Sequence, residues 1–184
     1  MGLIRKPLPV KLFVGMLSPE PALFDVCAEI LRKEYGPLDE RSELLPWDKT
    51  DYYRDEMGAG IVRTFIFFER LFDPADLPKI KLFTNGIEKD FAAQEGSALR
   101  RRINLDPGYV TEAKVVLATT KDFAHRVYIG SSIYAEVTLT YSAHDRRFTS
   151  FDYTYPDFRT DAYRAMFEKA RESLRAALCK RVRK

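Results

Sequence analysis

The sequence is poor in the residues that bind metals or form disulfides. It contains two cysteines, Cys27 and Cys179, and two histidines, His125 and His144, among 184 residues. These residues lie at none of the common spacings of a zinc site, so the sequence predicts no metal centre built from them. Both cysteines lie among apolar neighbours in segments of helical spacing. We therefore expect buried, reduced thiols, as in cytoplasmic proteins.

Long apolar runs are also absent. No stretch approaches the length of about 18 apolar residues that spans a bilayer, and the N-terminus lacks the apolar core of a signal peptide. We therefore expect a cytoplasmic protein that neither crosses a membrane nor is secreted. The content of 31% charged and 46% hydrophobic residues is that of an ordered globular chain, and 184 residues fit a single domain, 1–184.

A charge excess of one sign is missing from the body of the chain. The formal net charge is +3, and much of it comes from the basic C-terminal residues 180–184. A nucleic-acid binder usually carries a basic face, so this balance argues against a nucleic-acid partner. The oligomeric state does not follow from the sequence.

Phosphate-binding loops and nucleophile motifs are absent too. Gly15-Met-Leu-Ser-Pro follows the first apolar segment, where a P-loop or a Rossmann nucleotide site would place its glycine-rich loop. No G-x-S-x-G nucleophile elbow is present. No particular cofactor follows from the sequence, which leaves it open whether the protein is an enzyme.

The hydrophobic pattern of the first half predicts a split βαβ arrangement. The nearly continuous apolar segment 10–17 is typical of a central strand that is covered on both faces. Helical spacing predicts a helix that Gly36-Pro37 ends and a second one, with apolar residues from Ile80 to Phe91, that should end near Gly96. Strands are expected at 38–45, at 61–72 and before Asp106. The order strand, helix, strand, strand, helix, strand is the ferredoxin-like βαββαβ pattern.

The second half is mostly strand in pattern. Alternating segments at 126–129, 133–141 and 148–155, separated by turn residues, predict an antiparallel meander. Thr160 is placed to cap a final helix whose apolar stripe should close over the sheet. The predicted fold class is α+β: a mainly antiparallel sheet with a ferredoxin-like N-terminal part, a C-terminal β-meander and a closing C-terminal helix.

A polar segment follows three consecutive arginines. Arg102 precedes Asn104-Leu-Asp106-Pro-Gly. Pro107-Gly108 fits a turn in which the glycine adopts a positive φ and Asp106 bonds the turn amides, which requires no ligand. The alternative is a polar turn that brings Asn104, Asp106 and the arginines to a ligand.

A second polar segment runs from Thr119 to Arg126. Its hydroxyls, the Lys121 ammonium, the His125 imidazole and the Arg126 guanidinium suit a phosphate or a carboxylate. A solvated loop with a satisfied histidine explains the same residues equally well.

Two further segments are rich in aromatic and acidic residues. In 47–56, Asp48, Asp51 and Glu56 can bind a divalent cation or transfer protons, while Trp47 can stack on a planar ring. A surface loop pinned by its aromatic residues is the simpler interpretation. In 152–157, core packing and capping of the last helix account for most of the pattern.

The chain resembles a known family over nearly its whole length. The matching stretches are PVKLFVGMLS (9–18), LLPWDKTDYYRDEMG (44–58), FERLFDPADLPKIKLFTN (68–85), RRINLDPGYV (101–110), KVVLATTKDFAHRVYIG (114–130), IYAEVTLTY (133–141) and YTYPDFRT (153–160). On these residues the chain resembles the prokaryotic domain of unknown function 4416 family. The resemblance implies a stand-alone cytoplasmic protein and no established activity. Some members are labelled GTP-binding, which the residues here do not support.

A looser similarity is to the two-histidine phosphoesterases, which also begin with a K/R-L-F-V strand. Their paired His-x-Thr/Ser motifs are missing here. If the fold is shared, that catalytic mechanism is not.

Together these segments lead to one functional hypothesis. We expect a small anionic ligand, a nucleotide or another phosphate-containing molecule, on a polar face that gathers Asp48, Thr50, Arg102, Asn104, Asp106, Lys121, His125 and Arg126. If a reaction is catalysed, His125 with Asp106 or Asp122 is the candidate for proton transfer. The alternatives are a phosphoester-type enzyme with a non-standard site and a protein–protein interaction module.

Overall fold

The computed structural model describes residues 2–47, 54–95 and 98–182. The helices are α1 (Ala22–Tyr35), α2 (Arg54–Met57), α3 (Leu77–Asp90) and α4 (Asp161–Val182), with 3₁₀ helices at Pro74–Asp76 and Pro156–Arg159. The strands are β1 (Val10–Ser18), β2 (Leu38–Arg41), β3 (Leu45–Pro46), β4 (Val62–Phe72), β5 (Ala93–Glu95), β6 (Ala98–Arg100), β7 (Asn104–Val110), β8 (Lys114–Thr119), β9 (Val127–Gly130), β10 (Ile133–Ser142) and β11 (Arg147–Ser150).

One antiparallel sheet organises the chain. Its strand order is β11-β10-β8-β7-β1-β4-β2, with β3 added to β4 and β9 added to β10. The stretch β7-β1-β4-β2, with α1 and α3 as its two connections, is the ferredoxin-like βαββαβ unit. The strands β8, β10 and β11 continue the same sheet as an antiparallel meander. The α+β class, the ferredoxin-like part, the meander and the closing helix are thus confirmed.

The sheet is covered on both faces, as the apolar character of β1 predicts. Alternate residues of a strand point to opposite faces. Leu12 and Val14 pack with α1 and α3 on one face, while Phe13 packs with Phe67 and with Phe167 of α4 on the other. The whole of β1 is buried, so the strand is the centre of the fold.

Helix boundaries follow local sequence signals. Gly36 ends α1 with a φ of +98°, a conformation that costs glycine little. The Thr160 hydroxyl accepts a hydrogen bond from the amide of Tyr163 at 3.4 Å, in the first turn of α4. Both termini lie where the sequence predicts them.

Three local predictions are wrong. The strand expected over 148–155 ends at Ser150, because a turn follows it: the amide of Thr154 donates to the carbonyl oxygen of Phe151 at 3.1 Å, and the Thr154 hydroxyl accepts from the amide of Phe151 at 2.9 Å. The strand β8, whose residues Val115 and Leu117 are buried, was not predicted. Cys27 is buried as expected, but Cys179 is exposed.

The prediction of a turn at Pro107-Gly108 is also wrong. Both residues lie inside β7, and Gly108 is not among the glycines with positive φ. A Cβ on Gly108 would lie 2.3 Å from the carbonyl oxygen of Val116 and 2.5 Å from Cζ of Phe13. The glycine is required here for close approach of the neighbouring strand.

In the described residues, no helix is both long enough and apolar enough to cross a membrane.

Candidate functional site

The candidate site is a cavity that opens where two neighbouring strands separate. β7 and β8 pair only from Gly108↔Leu117 to Val110↔Val115. Before Gly108, β7 stays with β1, whereas beyond Leu117, β8 stays with β10. Pro107, at the point of separation, has no N–H with which to extend a ladder. The opening between the two strands leaves room for side chains and a ligand.

The cavity has a volume of about 480 Å³ and a wall rich in charge. Among the described residues that line it, six are cationic: Arg63, Lys81, Lys89, Arg101, Lys121 and Arg126. Five are acidic: Glu56, Glu88, Asp106, Glu136 and Asp157. Pockets for small molecules usually measure roughly 300–1,000 Å³, so the size fits a metabolite.

One wall carries a chain of hydrogen bonds along β7. The Arg101 guanidinium donates to the side-chain oxygen of Asn104 at 2.8 Å, and the Asn104 amide donates to Asp106 Oδ2 at 2.7 Å. Asn104 is buried, but 26% of the Asp106 side chain is exposed. Asp106 is therefore held in place by buried neighbours while it faces solvent in the cavity.

Two charged residues of α3 complete this wall. The Lys81 ammonium donates to the carbonyl oxygen of Leu105 at 2.8 Å and lies 3.5 Å from Asp106 Oδ1. Glu88 accepts a hydrogen bond from the amide of Leu105 at 2.7 Å, and its Oε1 lies 4.0 Å from Lys81 Nζ. Burial raises the pKa of Glu88, and the charge of Lys81 opposes that rise.

An ion pair lies between the two walls. The guanidinium of Arg63 donates to Asp157 Oδ2 at 2.5 Å, and its Nη2 lies 3.6 Å from Asp106 Oδ2. The guanidinium carbon also lies 4.4 Å from the ring centroid of Trp47. Burial raises the pKa of Asp157 and Arg63 opposes that rise. Arg63 thus connects the β4 end of the sheet to the 3₁₀ helix Pro156–Arg159.

The opposite wall, from β8 and β10, is the more cationic. Arg126 donates from Nε to Glu136 Oε2 at 2.8 Å and from Nη1 to the carbonyl oxygen of Lys121 at 3.2 Å. Its guanidinium also lies 4.4 Å from the ring centroid of Phe123. Burial and the charge of Arg126 lower the pKa of Lys121. The hydroxyl-bearing residues Thr119 and Thr120 line the same wall.

His125 does not line the cavity but contacts Glu136, which does. Its Nε2 lies 3.2 Å from Glu136 Oε2, the same oxygen that accepts from Arg126. Its ring stacks on Tyr153 with the centroids 4.4 Å apart. The structure pairs His125 with Glu136 and not with Asp106 or Asp122. His125 supports the residue that holds Arg126.

Two residues named from sequence lie away from the cavity. Arg102 donates to both carboxylate oxygens of Glu20, at 2.8 and 2.5 Å, and does not line the cavity. Asp122 is exposed and lies beside Tyr134, whose pKa its charge raises.

Of the eight ligand residues expected from sequence, the cavity wall contains Asn104, Asp106, Lys121 and Arg126. Asp48 and Thr50, with Asp51 of the acidic segment, lie outside the described residues. Within the described ranges, no three His, Cys, Asp or Glu side chains form a group that could hold a metal ion.

Sequence reasoning missed four charged residues that line the cavity, Arg63, Lys81, Glu88 and Glu136, and it assigned the segment of a fifth, Asp157, to core packing and helix capping. A signal existed for Arg63, because it shares a strand face with Phe65 and Phe67 and thus puts a charge on an apolar face. For Glu136 there was none, because its strand face is the one that alternation assigns to solvent.

The chain matches a protein-family model over most of its length. The family model described as Domain of unknown function (DUF4416) matches residues 8–174. Comparison with curated proteins and with solved structures gives no match.

Proposed function

Since the chain belongs to this family, whose description names no activity, we propose a function from the cavity itself. The cavity binds a small anionic ligand, a nucleotide or another phosphate-containing molecule of the cytoplasm. The observation that carries the proposal is the pair of cations Lys121 and Arg126 on one wall, beside the hydroxyls of Thr119 and Thr120.

The two cations are held close together by the fold. The guanidinium of Arg126 reaches the carbonyl oxygen of Lys121, so both side chains leave the wall from adjacent points. Burial and, after it, the repulsion between the two cations lower the pKa of Lys121. A bound anion relieves that repulsion, because it interacts favourably with both charges at once.

In the described part of this wall, the carboxylate Glu136 lies beside Arg126. Glu136 accepts from Arg126 and from Thr138, and it also lies against His125. Among the described lining residues of the β8–β10 side, the charged ones are the cations Lys121 and Arg126 and the carboxylate Glu136. A guanidinium and an ammonium beside hydroxyl groups are the donors that phosphate prefers.

The test is isothermal titration calorimetry of the full chain with inorganic phosphate, adenosine monophosphate and guanosine triphosphate. Lys121→Gln should weaken phosphate binding roughly ten- to a hundredfold, the range for a hydrogen bond between charged groups. A saturating ligand at 100 times its Kd should also add about 2.7 kcal/mol to the free energy of unfolding.

Arg102→Gln is the matched control. It removes the same charge from an arginine that pairs with Glu20 outside the cavity, so nonspecific electrostatic attraction falls equally in both variants. Binding should be unchanged in Arg102→Gln. Equal weakening in the two variants, or no binding of any phosphate compound by the wild type, contradicts the proposal.

A phosphoester-type enzyme is the second candidate. It is favoured by two acids in the cavity wall, Glu88 and Asp157, whose pKa values burial raises. An acid of raised pKa can donate a proton near neutral pH. Hydrolysis of a phosphoester by the wild-type chain would support this candidate if Glu88→Gln abolishes the hydrolysis without weakening phosphate binding. A chain that binds but never turns over is a binding protein.

A protein-interaction module is the third candidate. It is favoured by apolar side chains beside the short edge strand β9, where Phe123, Val127 and Tyr128 are each at least half exposed. Sedimentation of the purified chain tests self-association through this edge. A monomer at high concentration argues against it.

A further inference from the structure

The second wall of the cavity, formed by α3 and β7, has a different chemistry from the cationic wall. It presents a carboxylate acceptor, Asp106, 3.5 Å from a donor, the Lys81 ammonium, and the amide of Asn85 on α3, which can donate and accept, also lines the cavity. We infer that the ligand also carries hydroxyl groups, as a phosphorylated sugar does, and that Asp106 accepts their hydrogen bonds. The inference rests on the anion site proposed above.

Asp106 has acceptor capacity left. A carboxylate offers about four lone-pair positions. In the described part of the chain it accepts one short hydrogen bond, from Asn104 at 2.7 Å, while Lys81 and Arg63 lie 3.5 and 3.6 Å away. Charge-assisted bonds are usually about 2.7–2.9 Å long. The carboxylate is thus oriented by its neighbours and still open to a donor from the cavity.

Lys81 has donor capacity left as well. An ammonium has three N–H groups, and the one short bond of Lys81 among the described residues goes to the carbonyl oxygen of Leu105. A ligand hydroxyl beside both groups accepts from Lys81 and donates to Asp106. An amine cannot make both bonds, since its ammonium form has no lone pair. The pairing of a donor with an acceptor therefore favours hydroxyl groups.

The anionic group is directed to the other wall. On the α3–β7 side the carboxylates Asp106, Glu88 and Glu56 offset the cations Lys81, Lys89 and Arg101, so this side has little net attraction for an anion. The Lys121–Arg126 side attracts it. The ligand is therefore oriented with its phosphate toward β8 and its hydroxyl groups toward β7.

A phosphorylated sugar occurs alone or as part of a nucleotide. The cavity also contains Trp47 and the exposed side chain of Leu99, which offer an apolar surface to a base. A comparison of ribose 5-phosphate with adenosine monophosphate separates the two sources. Binding of the nucleotide more than tenfold tighter than the sugar phosphate indicates a nucleotide, and similar affinities indicate a sugar phosphate. Both outcomes support the hydroxyl site.

The decisive experiment compares ligands on the wild-type chain by calorimetry. Ethyl phosphate has the ester and no hydroxyl, whereas ribose 5-phosphate has both. We expect ribose 5-phosphate to bind at least about tenfold tighter, the value of one hydrogen bond to a charged group. Equal affinities overturn the inference and leave the anion site standing. If neither ester nor inorganic phosphate binds, the proposed function fails and the inference fails with it.

Variants then locate the hydroxyl site. Asp106→Asn should lower the affinity for ribose 5-phosphate about tenfold and change that for ethyl phosphate less than about threefold. Asn85→Ala, which leaves the charged network intact, should act in the same direction and keeps the test valid if Asp106→Asn does not fold. Asp161→Asn, which changes a carboxylate that is 90% exposed and lies outside the cavity, is the control and should change neither affinity. Equal effects of the wall variants on the two esters overturn the assignment to this wall.

Discussion

Arg63 on β4 and Asp157 in the 3₁₀ helix Pro156–Arg159 form a deeply buried ion pair in the cavity wall, with 2.5 Å between Nη1 and Oδ2 and 4% of each side chain exposed. The two residues are 94 positions apart in sequence. Their contact closes the cavity between the ferredoxin-like unit and the C-terminal segment. Taking both charges out of water is costly, so the pair is sensitive to the loss of either partner.

Removal of one partner should therefore destabilise the chain strongly. Arg63→Met leaves Asp157 buried without its cation, and we expect a loss of about 3–5 kcal/mol in the free energy of unfolding. The double variant Arg63→Met with Asp157→Leu removes the buried carboxylate together with its cation and should recover most of that loss. Urea denaturation measures both values.

The exposed pair Arg147–Asp161 serves as the comparison. Its side chains are 49% and 90% exposed, so Arg147→Met should cost less than about 1 kcal/mol. If the single and double variants at the cavity pair lose equal stability, the buried charge is not the cause.

Substitution by alanine should change stability in opposite directions at two glycines. One lies where β7 and β8 approach closely, and the other lies in α3. Gly108→Ala forces a Cβ into the carbonyl of Val116 and the ring of Phe13 and should cost at least about 1–3 kcal/mol. Gly86→Ala in α3 meets no atom within 4 Å and should gain about 0.5–1 kcal/mol, because alanine is the better helix former. Denaturation of the two variants tests the pair, and a neutral Gly108→Ala would show that the strands are not in close contact there.

Glu88 should make stability depend on pH in a defined direction. Its pKa is raised by burial, so the folded state holds the proton more tightly than the unfolded state. The stability contributed by the protonated form is complete below the ordinary pKa of 4.5 and falls as pH rises through the raised value. Glu88→Gln removes this dependence. The free energy of unfolding of Glu88→Gln, relative to wild type, should increase as pH rises above 4.5.

Glu20 provides a control of opposite sign. The hydrogen bond from Arg102 lowers its pKa, so its contribution is present above the ordinary pKa of 4.5 and is lost as pH falls through the lowered value. The free energy of unfolding of Glu20→Gln, relative to wild type, should therefore increase as pH falls. If the free energy of unfolding of both variants, relative to wild type, changes with pH in the same direction, burial is not the cause of the pH dependence attributed to Glu88.

The two thiols should differ in reactivity. Cys179 on α4 is exposed, whereas burial raises the pKa of Cys27 to about 11, and only the thiolate attacks a disulfide. An aromatic disulfide reagent should modify one thiol per folded chain rapidly and both after unfolding. Cys179→Ser should abolish the rapid phase. Rapid modification that persists in this variant would mean that Cys27 is accessible.

Much of the fold could be predicted because its pattern is local. The apolar run of β1 identified a strand buried on both faces, and Gly36 marked the end of α1. The order of these elements was enough for the ferredoxin-like topology. Where one sequence pattern fits two structures, prediction failed: Asp106-Pro107-Gly108 looks like a turn but is a strand, because glycine serves either positive φ or close packing.

The candidate site was predicted only in part. Lys121 and Arg126 were found because they are neighbours in sequence, and Asn104 and Asp106 because they share a polar segment. Arg102 looks equivalent to them, yet it binds Glu20, which lies 82 positions away. The amino-acid sequence around an arginine does not show whether that arginine pairs with a carboxylate far away in the chain.

What the sequence by itself determined is the order of helices and strands in the ferredoxin-like part, the burial of β1 and two of the segments that supply polar residues to the site. Hydrophobic periodicity and capping act over a few neighbouring residues, and that is why they can be read from one chain. Only the tertiary structure decided that β7 and β8 separate before Gly108, that Arg63 meets Asp157 and that Lys81 lies beside Asp106. These contacts depend on strand register and on the way helices pack across the sheet, so the charge pattern of the cavity arises when distant segments come together.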